Sequence, residues 1–110
     1  MTHPGEQYYP DGVHWDDAIP RCTLPDLLST AAAAYGPRPA LEFRDRPISF
    51  SELEGMVEVA ASAFLRAGYG KSASVALFLG NSPDHPMNFF GALKAGARLV
   101  HLSPLDGEIA

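Results

Sequence analysis

Apolar residues recur at helical spacing over two long stretches of the chain and form short unbroken runs over two others. Leu24, Leu27, Leu28, Ala31, Ala32 and Tyr35 fall three or four residues apart, which predicts a helix. Thr23 is its expected N-cap, Pro25 sits in the tolerant first turn, Asp26 lies near the positive end of the dipole, and Gly36 follows the last turn. A stronger stripe is formed by Leu53, Met56, Val57, Ala60, Ala61, Phe64 and Leu65, with Glu54, Glu58, Ser62 and Arg66 off it. Ser49-Phe50-Ser51-Glu52 has the capping-box spacing that opens such a helix, and Gly68 or Gly70 ends it.

Between these helices, residues 39–43 form a short strand pattern and Arg44-Asp45-Arg46-Pro47 a polar turn. Ile48 and Phe50 bracket the return, so a hairpin is predicted. Residues 75–79 are continuously apolar, the mark of a strand covered on both faces. Gly80-Asn81 makes the next turn, with Ser82 expected as N-cap and Pro83 at the first position of a helix through Met87, Phe90 and Leu93 to Gly96. Leu99-Val100-His101-Leu102 is a further strand, which completes a βαβ unit expected to be parallel and right-handed. Pro4, Pro10 and Pro20, with Gly5 and Gly12, make residues 1–22 an extended arm without regular elements. Its Tyr8, Tyr9 and Trp15 imply an arm that packs on something. The expected class is α/β.

Composition narrows this reading. A chain of 110 residues, 46% hydrophobic, can bury roughly 65% of its unfolded surface and so build a modest core. The single cysteine, Cys22, excludes an internal disulfide framework and a cysteine-rich zinc site. No run approaches the ~20 apolar residues of a membrane span, and the start MTHPGEQYYPDG has no signal-like apolar core. Thirteen acidic against eight basic side chains give a net charge of −5. No basic footprint for nucleic acid or anionic lipid emerges, and the expected location is cytoplasmic.

Local patterns give no self-contained active site. Gly68-Tyr69-Gly70-Lys71-Ser72 has the tail of a phosphate-binding loop, but Leu65 stands where the first glycine belongs and the segment leaves a helix instead of opening one. Gly80-Asn81-Ser82-Pro83-Asp84 sits where a nucleophile elbow would lie, yet Asp84 replaces the closing glycine. Ser82 as a cap explains the same residues; a small serine hydrolase using Ser82 is the enzyme alternative. His3, His14, His85 and His101 have no metal-motif spacing, so His101 reads as a core or rim imidazole with one hydrogen-bond partner. Cys22 is a lone thiol before a helix start, and Asp16, Asp17, Glu52, Glu54, Glu58 and Asp84 read as solvated surface.

Three segments in fixed order carry a resemblance. Ile48-Ser49-Phe50-Ser51-Glu52-Leu53 resembles the L-[ST]-Y-x-E-L element of adenylate-forming enzymes. Val75-Ala76-Leu77-Phe78-Leu79-Gly80-Asn81-Ser82 is similar to their V-A-[IL]-x-L-x-N-[CST] strand and turn. Leu93-Lys94-Ala95-Gly96-Ala97-Arg98-Leu99-Val100-His101-Leu102-Ser103-Pro104 resembles their L-K-A-G-x-x-x-V-P-x-x-P element. The arm around residues 8–16, Asn88-Phe89-Phe90-Gly91-Ala92-Leu93-Lys94 and Val100-His101-Leu102-Ser103-Pro104-Leu105-Asp106 are similar to bacterial fatty-acyl and dicarboxylate (pimelate-type) CoA ligases. Phe50 replaces the usual Tyr. His101 replaces the Pro of amino-acid-activating members, which tilts away from peptide-synthetase adenylation domains.

The resemblance implies the N-terminal part of the large domain of an AMP-forming ligase, with residues 23–110 as an incomplete α/β portion. It implies a two-step reaction. A carboxylate attacks the α-phosphate of Mg·ATP to give an acyl-adenylate and pyrophosphate, and the thiol of coenzyme A then takes the acyl group. The family's phosphate loop, ribose-binding Asp and catalytic Lys have no counterpart in residues 1–110, so no catalytic, cofactor-binding or metal residue is carried over, and Lys94 receives no chemistry. ATP, Mg and coenzyme A belong to the parent enzyme, and the piece alone is expected to be inactive. Its expected partners are the remainder of that ligase and a second copy of itself, met through an exposed sheet edge or apolar face. The binding-module alternative is a natural short assembly or regulatory piece.

Overall fold

The computed structural model describes residues 3–105. The first two arm residues and Asp106, the end of the last resembling segment, lie outside them. The element order is α1 (Leu24–Tyr35), β1 (Pro39–Phe43), β2 (Arg46–Ser49), α2 (Phe50–Arg66), β3 (Ser74–Phe78), α3 (Asp84–Lys94) and β4 (Arg98–Leu102). β1 and β2 pair antiparallel, and β3 and β4 pair parallel. The mixed α/β reading, with one hairpin and one parallel βαβ unit, is the observed fold.

Each helix begins and ends for local reasons. The Thr23 hydroxyl accepts from the Asp26 N–H at 3.2 Å, and the Asp26 carboxylate accepts from the Thr23 N–H at 3.1 Å, a complete capping box. At α2 only half of the box forms: Ser49 Oγ accepts from the Glu52 N–H at 3.1 Å. α2 closes in a Schellman turn. Gly68 adopts φ +87°, its N–H donates to Leu65 O, and the Tyr69 N–H donates to Phe64 O. α3 closes the same way at Gly96 (φ +95°), with N–H donors from Gly96 to Leu93 O and from Ala97 to Ala92 O. Gly36 differs. It sits at φ −29°, outside the left-handed region, buried where an added β-carbon would meet Ser51 Oγ at 2.7 Å. Closeness of packing, not turn handedness, explains that glycine.

The hairpin turn is tighter than expected. Only Arg44 and Asp45 connect the strands, both with positive φ (51° and 62°), the two-residue geometry that matches strand twist.

α1, α2 and α3 pack on one another. Leu28, Ile48, Leu53 and Val57 form the buried cluster, flanked by Ala40, Leu41, Phe50, Met56 and Phe90. α2 and α3 meet through small residues, because Ala60, Ala61, Gly91 and Ala92 are all buried. The predicted stripe of α2 therefore faces inward as far as Phe64, while Leu65 is exposed.

Three expectations are corrected. The continuous apolar run at 75–79 is not covered on both faces within this chain. Leu77 is buried, but Ala76 is exposed and Phe78 is 62% exposed, because α3 covers one side of the β3–β4 pair only. Ser82 does not cap α3. The helix starts at Asp84 with Pro83 as its N-cap residue, no side chain caps it, and the His85 N–H is taken by the Ser82 carbonyl at 3.1 Å. Pro86 fits as the third helical residue, where a missing N–H leaves no intrahelical bond unmade. The arm is not wholly extended: Glu6–Tyr8 form a 3-10 turn, and Trp15 stacks on His3 with centroids 3.9 Å apart. The Trp15 backbone N–H also donates to Glu6 Oε1 at 3.1 Å, so Trp15 is held within the arm, whereas Tyr8 is exposed.

Candidate functional site

A parallel βαβ unit brings three termini to one edge: the carboxyl ends of β3 and β4 and the amino end of α3. Ligands of open α/β sheets bind at that edge. Here it carries a cleft of about 550 Å³, walled by the turn at Leu79, Gly80 and Asn81 and by the chain leaving β4 at Leu102, Ser103 and Pro104. His85 from the first turn of α3 and His101 from β4 also line it.

The two histidines are sixteen residues apart in sequence and adjacent in space. His85 Nε2 lies 3.4 Å from His101 Nδ1, and the rings meet edge to face with centroids 5.5 Å apart. Phe89, one turn after His85, stacks on the His101 ring at 5.5 Å and 30°. His101 is thus an exposed rim imidazole with one side-chain partner. The pairing escaped the sequence spacing. Its signal lay in the topology, since the first turn of a crossover helix and the end of the second strand share the sheet edge.

A second groove, about 280 Å³, runs between the hairpin and the start of α3 and is lined by Phe43, Ser82, Pro83 and Pro86. Among the described residues no hydrogen bond joins the Ser82 hydroxyl to a histidine or carboxylate, and the His85 Nε2 faces His101. The serine-hydrolase alternative gains no support from this geometry, and no observation favours a separate regulatory module.

Other candidate residues have structural partners. Lys94 donates to Glu58 Oε1, tying the end of α3 to α2. Asp17 accepts from the His14 N–H at 2.8 Å within the arm, and Cys22 is a free, exposed thiol. Gly68 and Gly70 belong to the exit of α2. Lys71 and Ser72 form the following turn, with Ser72 at φ 74° and the Ala73 N–H donating to Gly70 O at 3.0 Å. This turn precedes a strand, so its amides do not open onto a helix dipole. Neither the glycine-rich turn, which is a helix exit, nor Lys94, which is engaged with a carboxylate, fits the phosphates of Mg·ATP or coenzyme A. Among the described residues, no group of three or more His, Cys, Asp or Glu could hold a metal ion. No helix among them is long and apolar enough to cross a membrane.

This α/β architecture is that of the N-terminal subdomain of adenylate-forming enzymes. The fold matches the N-terminal subdomain of Klebsiella oxytoca NpsA with a TM-score of 0.75 at 24% identity, over 78% of this chain and 22% of that one. It matches VinN with a TM-score of 0.77 at 21% identity, over 83% of this chain and 24% of that one. The chain belongs to the AMP-binding enzyme family, whose model matches residues 28–108. The long-chain-fatty-acid–CoA ligase of Bacillus subtilis (strain 168) is 30% identical over 102 residues, which is 91% of this chain and 18% of that ligase. The crotonobetaine/carnitine–CoA ligase of Proteus mirabilis is 34% identical over 92 residues, 79% of this chain and 18% of that enzyme. The chain thus spans less than a fifth of the length of these relatives.

Proposed function

We propose that this chain is the N-terminal scaffold of an AMP-forming acyl-CoA ligase that converts ATP, a carboxylic acid and coenzyme A into acyl-CoA, AMP and pyrophosphate. Residues 23–110 are its α/β portion and residues 1–22 its arm. The observation carrying this reading is the family match over residues 28–108, supported by long-chain-fatty-acid–CoA ligases among the relatives. A fatty acid or a long dicarboxylate is the proposed acyl donor, and the cytoplasm the proposed location.

In this reading the chemistry resides in the remainder of the ligase, which binds Mg·ATP and coenzyme A. The present residues supply shape: α2 and α3 clasp each other, and the βαβ unit presents its carboxyl edge. The uncovered face of β3 and β4 supports the same reading, because parallel strands are ordinarily covered on both sides. There Ala76 stands beside Val100 and Phe78 beside Leu102. The remainder of the ligase covers that face.

The test is pyrophosphate release in the presence of ATP, Mg and a fatty acid, measured on the 110-residue chain and on the full reading frame. Turnover by the longer protein and none by the 110-residue chain is expected. Turnover by the chain alone would overturn the scaffold reading, and an inactive longer protein would overturn the ligase reading.

A further inference from the structure

The His85–His101 pair stands outside the ligase reading, and its geometry carries an inference of its own. Two nitrogens bound 2.0–2.1 Å from one tetrahedral ion stand about 3.3–3.4 Å apart, the edge of the tetrahedron. His85 Nε2 and His101 Nδ1 are 3.4 Å apart. We propose that these two nitrogens together bind one divalent first-row transition-metal ion of the zinc, copper or nickel type, its remaining positions taken by water or oxygen ligands.

Three features favour this occupant. Imidazole is the nitrogen donor suited to these ions, whereas magnesium and calcium prefer oxygen. The donors come from two different elements, the first turn of α3 and the end of β4, and the Phe89 ring stacked on His101 restrains one of them. The same cleft is also lined by the polar side chains of Asn81 and Ser103. With the tautomers that leave both facing nitrogens unprotonated, a cation satisfies both at once. The competing occupant is a single shared proton, which makes the pair a simple hydrogen bond.

The experiment is titration of the metal-free chain with Cu²⁺, Ni²⁺ and Zn²⁺, each alone, by calorimetry and by histidine Hε1 resonances. One ion per chain is expected, with copper binding more tightly than nickel or zinc. Substoichiometric Cu²⁺ should broaden the His85 and His101 signals before those of His3 and His14. Both His85→Ala and His101→Ala should weaken binding at least about tenfold, since even outer partners of metal ligands are worth 10–100-fold. The wild-type resonance pattern decides the matter should either variant lose its fold. Absence of saturable binding, equal broadening of all four histidines, or undiminished affinity in the folded double variant would overturn the proposal and leave the shared proton as the occupant.

Discussion

Gly91 of α3 lies so close to Ala60 of α2 that a β-carbon on Gly91 would stand 2.6 Å from the Ala60 β-carbon. Real β-carbons do not approach that closely, so the glycine sets the distance between the two helices. Gly91→Ala should raise helix propensity by up to about 1 kcal/mol yet lose more by overpacking, which costs typically about 1–3 kcal/mol. A net loss of stability is expected in urea unfolding with an unchanged m value. Adding Ala60→Gly should recover part of that loss, because it removes the β-carbon that Gly91→Ala would strike. A Gly91→Ala chain as stable as the parent would show that the helices separate at no cost.

The hairpin invites the opposite kind of change. Arg44 and Asp45 both occupy the left-handed region, at φ 51° and 62°, where a side-chain-bearing residue is penalised by roughly 1–2 kcal/mol. Asn-Gly is the pair that a two-residue turn of this kind prefers. The double substitution Arg44→Asn with Asp45→Gly should therefore stabilise the chain by about 1 kcal/mol or more, read as a higher melting temperature. An unchanged or lower melting temperature would mean that the turn relaxes elsewhere.

Lys94 occupies the lysine slot of the segment that resembles the second core element of the family, and its ammonium is given to Glu58. The lysine side chain is one-third exposed and the glutamate about half exposed, so water and salt screen the pair. A double-mutant cycle with Lys94→Ala and Glu58→Ala should return a coupling below about 1 kcal/mol that fades at 1 M salt. A coupling of several kcal/mol that persists in salt would assign Lys94 a structural weight that its exposure does not suggest.

What was legible in the sequence follows from where each signal is local. Thr23, Pro25 and Asp26 announce α1 because capping depends on residues three apart, and the α2 stripe from Leu53 to Phe64 announces a packed face by periodicity alone. Gly68 and Gly96 were readable as helix ends for the same reason. Ser82 was not, because Ser82-Pro83 and Pro83-Asp84 are both acceptable helix starts and Pro86, three residues on, tips the balance. The run at 75–79 predicted full cover, and Phe78 is nonetheless exposed. A run of apolar residues reports what the strand expects to meet, and most of the family's length lies outside the region these residues match. The candidate site escaped residue spacing altogether, since His85 and His101 meet only once the βαβ unit closes.

The open face of the β3–β4 pair leads to the last prediction. Phe78, Val100 and Leu102 are 62%, 42% and 51% exposed, and all three lie on one side of two paired strands. Burying a side chain of this size is worth about 1.5–3 kcal/mol, so a patch holding three of them favours contact with a second patch. For the 110-residue chain alone, the expected second patch is another copy, brought face to face about a twofold axis. Sedimentation at rising concentration should show a monomer–dimer equilibrium. Phe78→Lys should raise the dissociation constant roughly 10–100-fold, because a lost contribution of 1.4 kcal/mol is a factor of ten and a charge is added to each side. The fold should survive, since Phe78 covers nothing in the core cluster of Leu28, Ile48, Leu53 and Val57. If the proposed parent ligase covers this face, the same substitution should instead lower that protein's stability. A monomer at every concentration, or a dimer indifferent to Phe78→Lys, would place self-association on another surface.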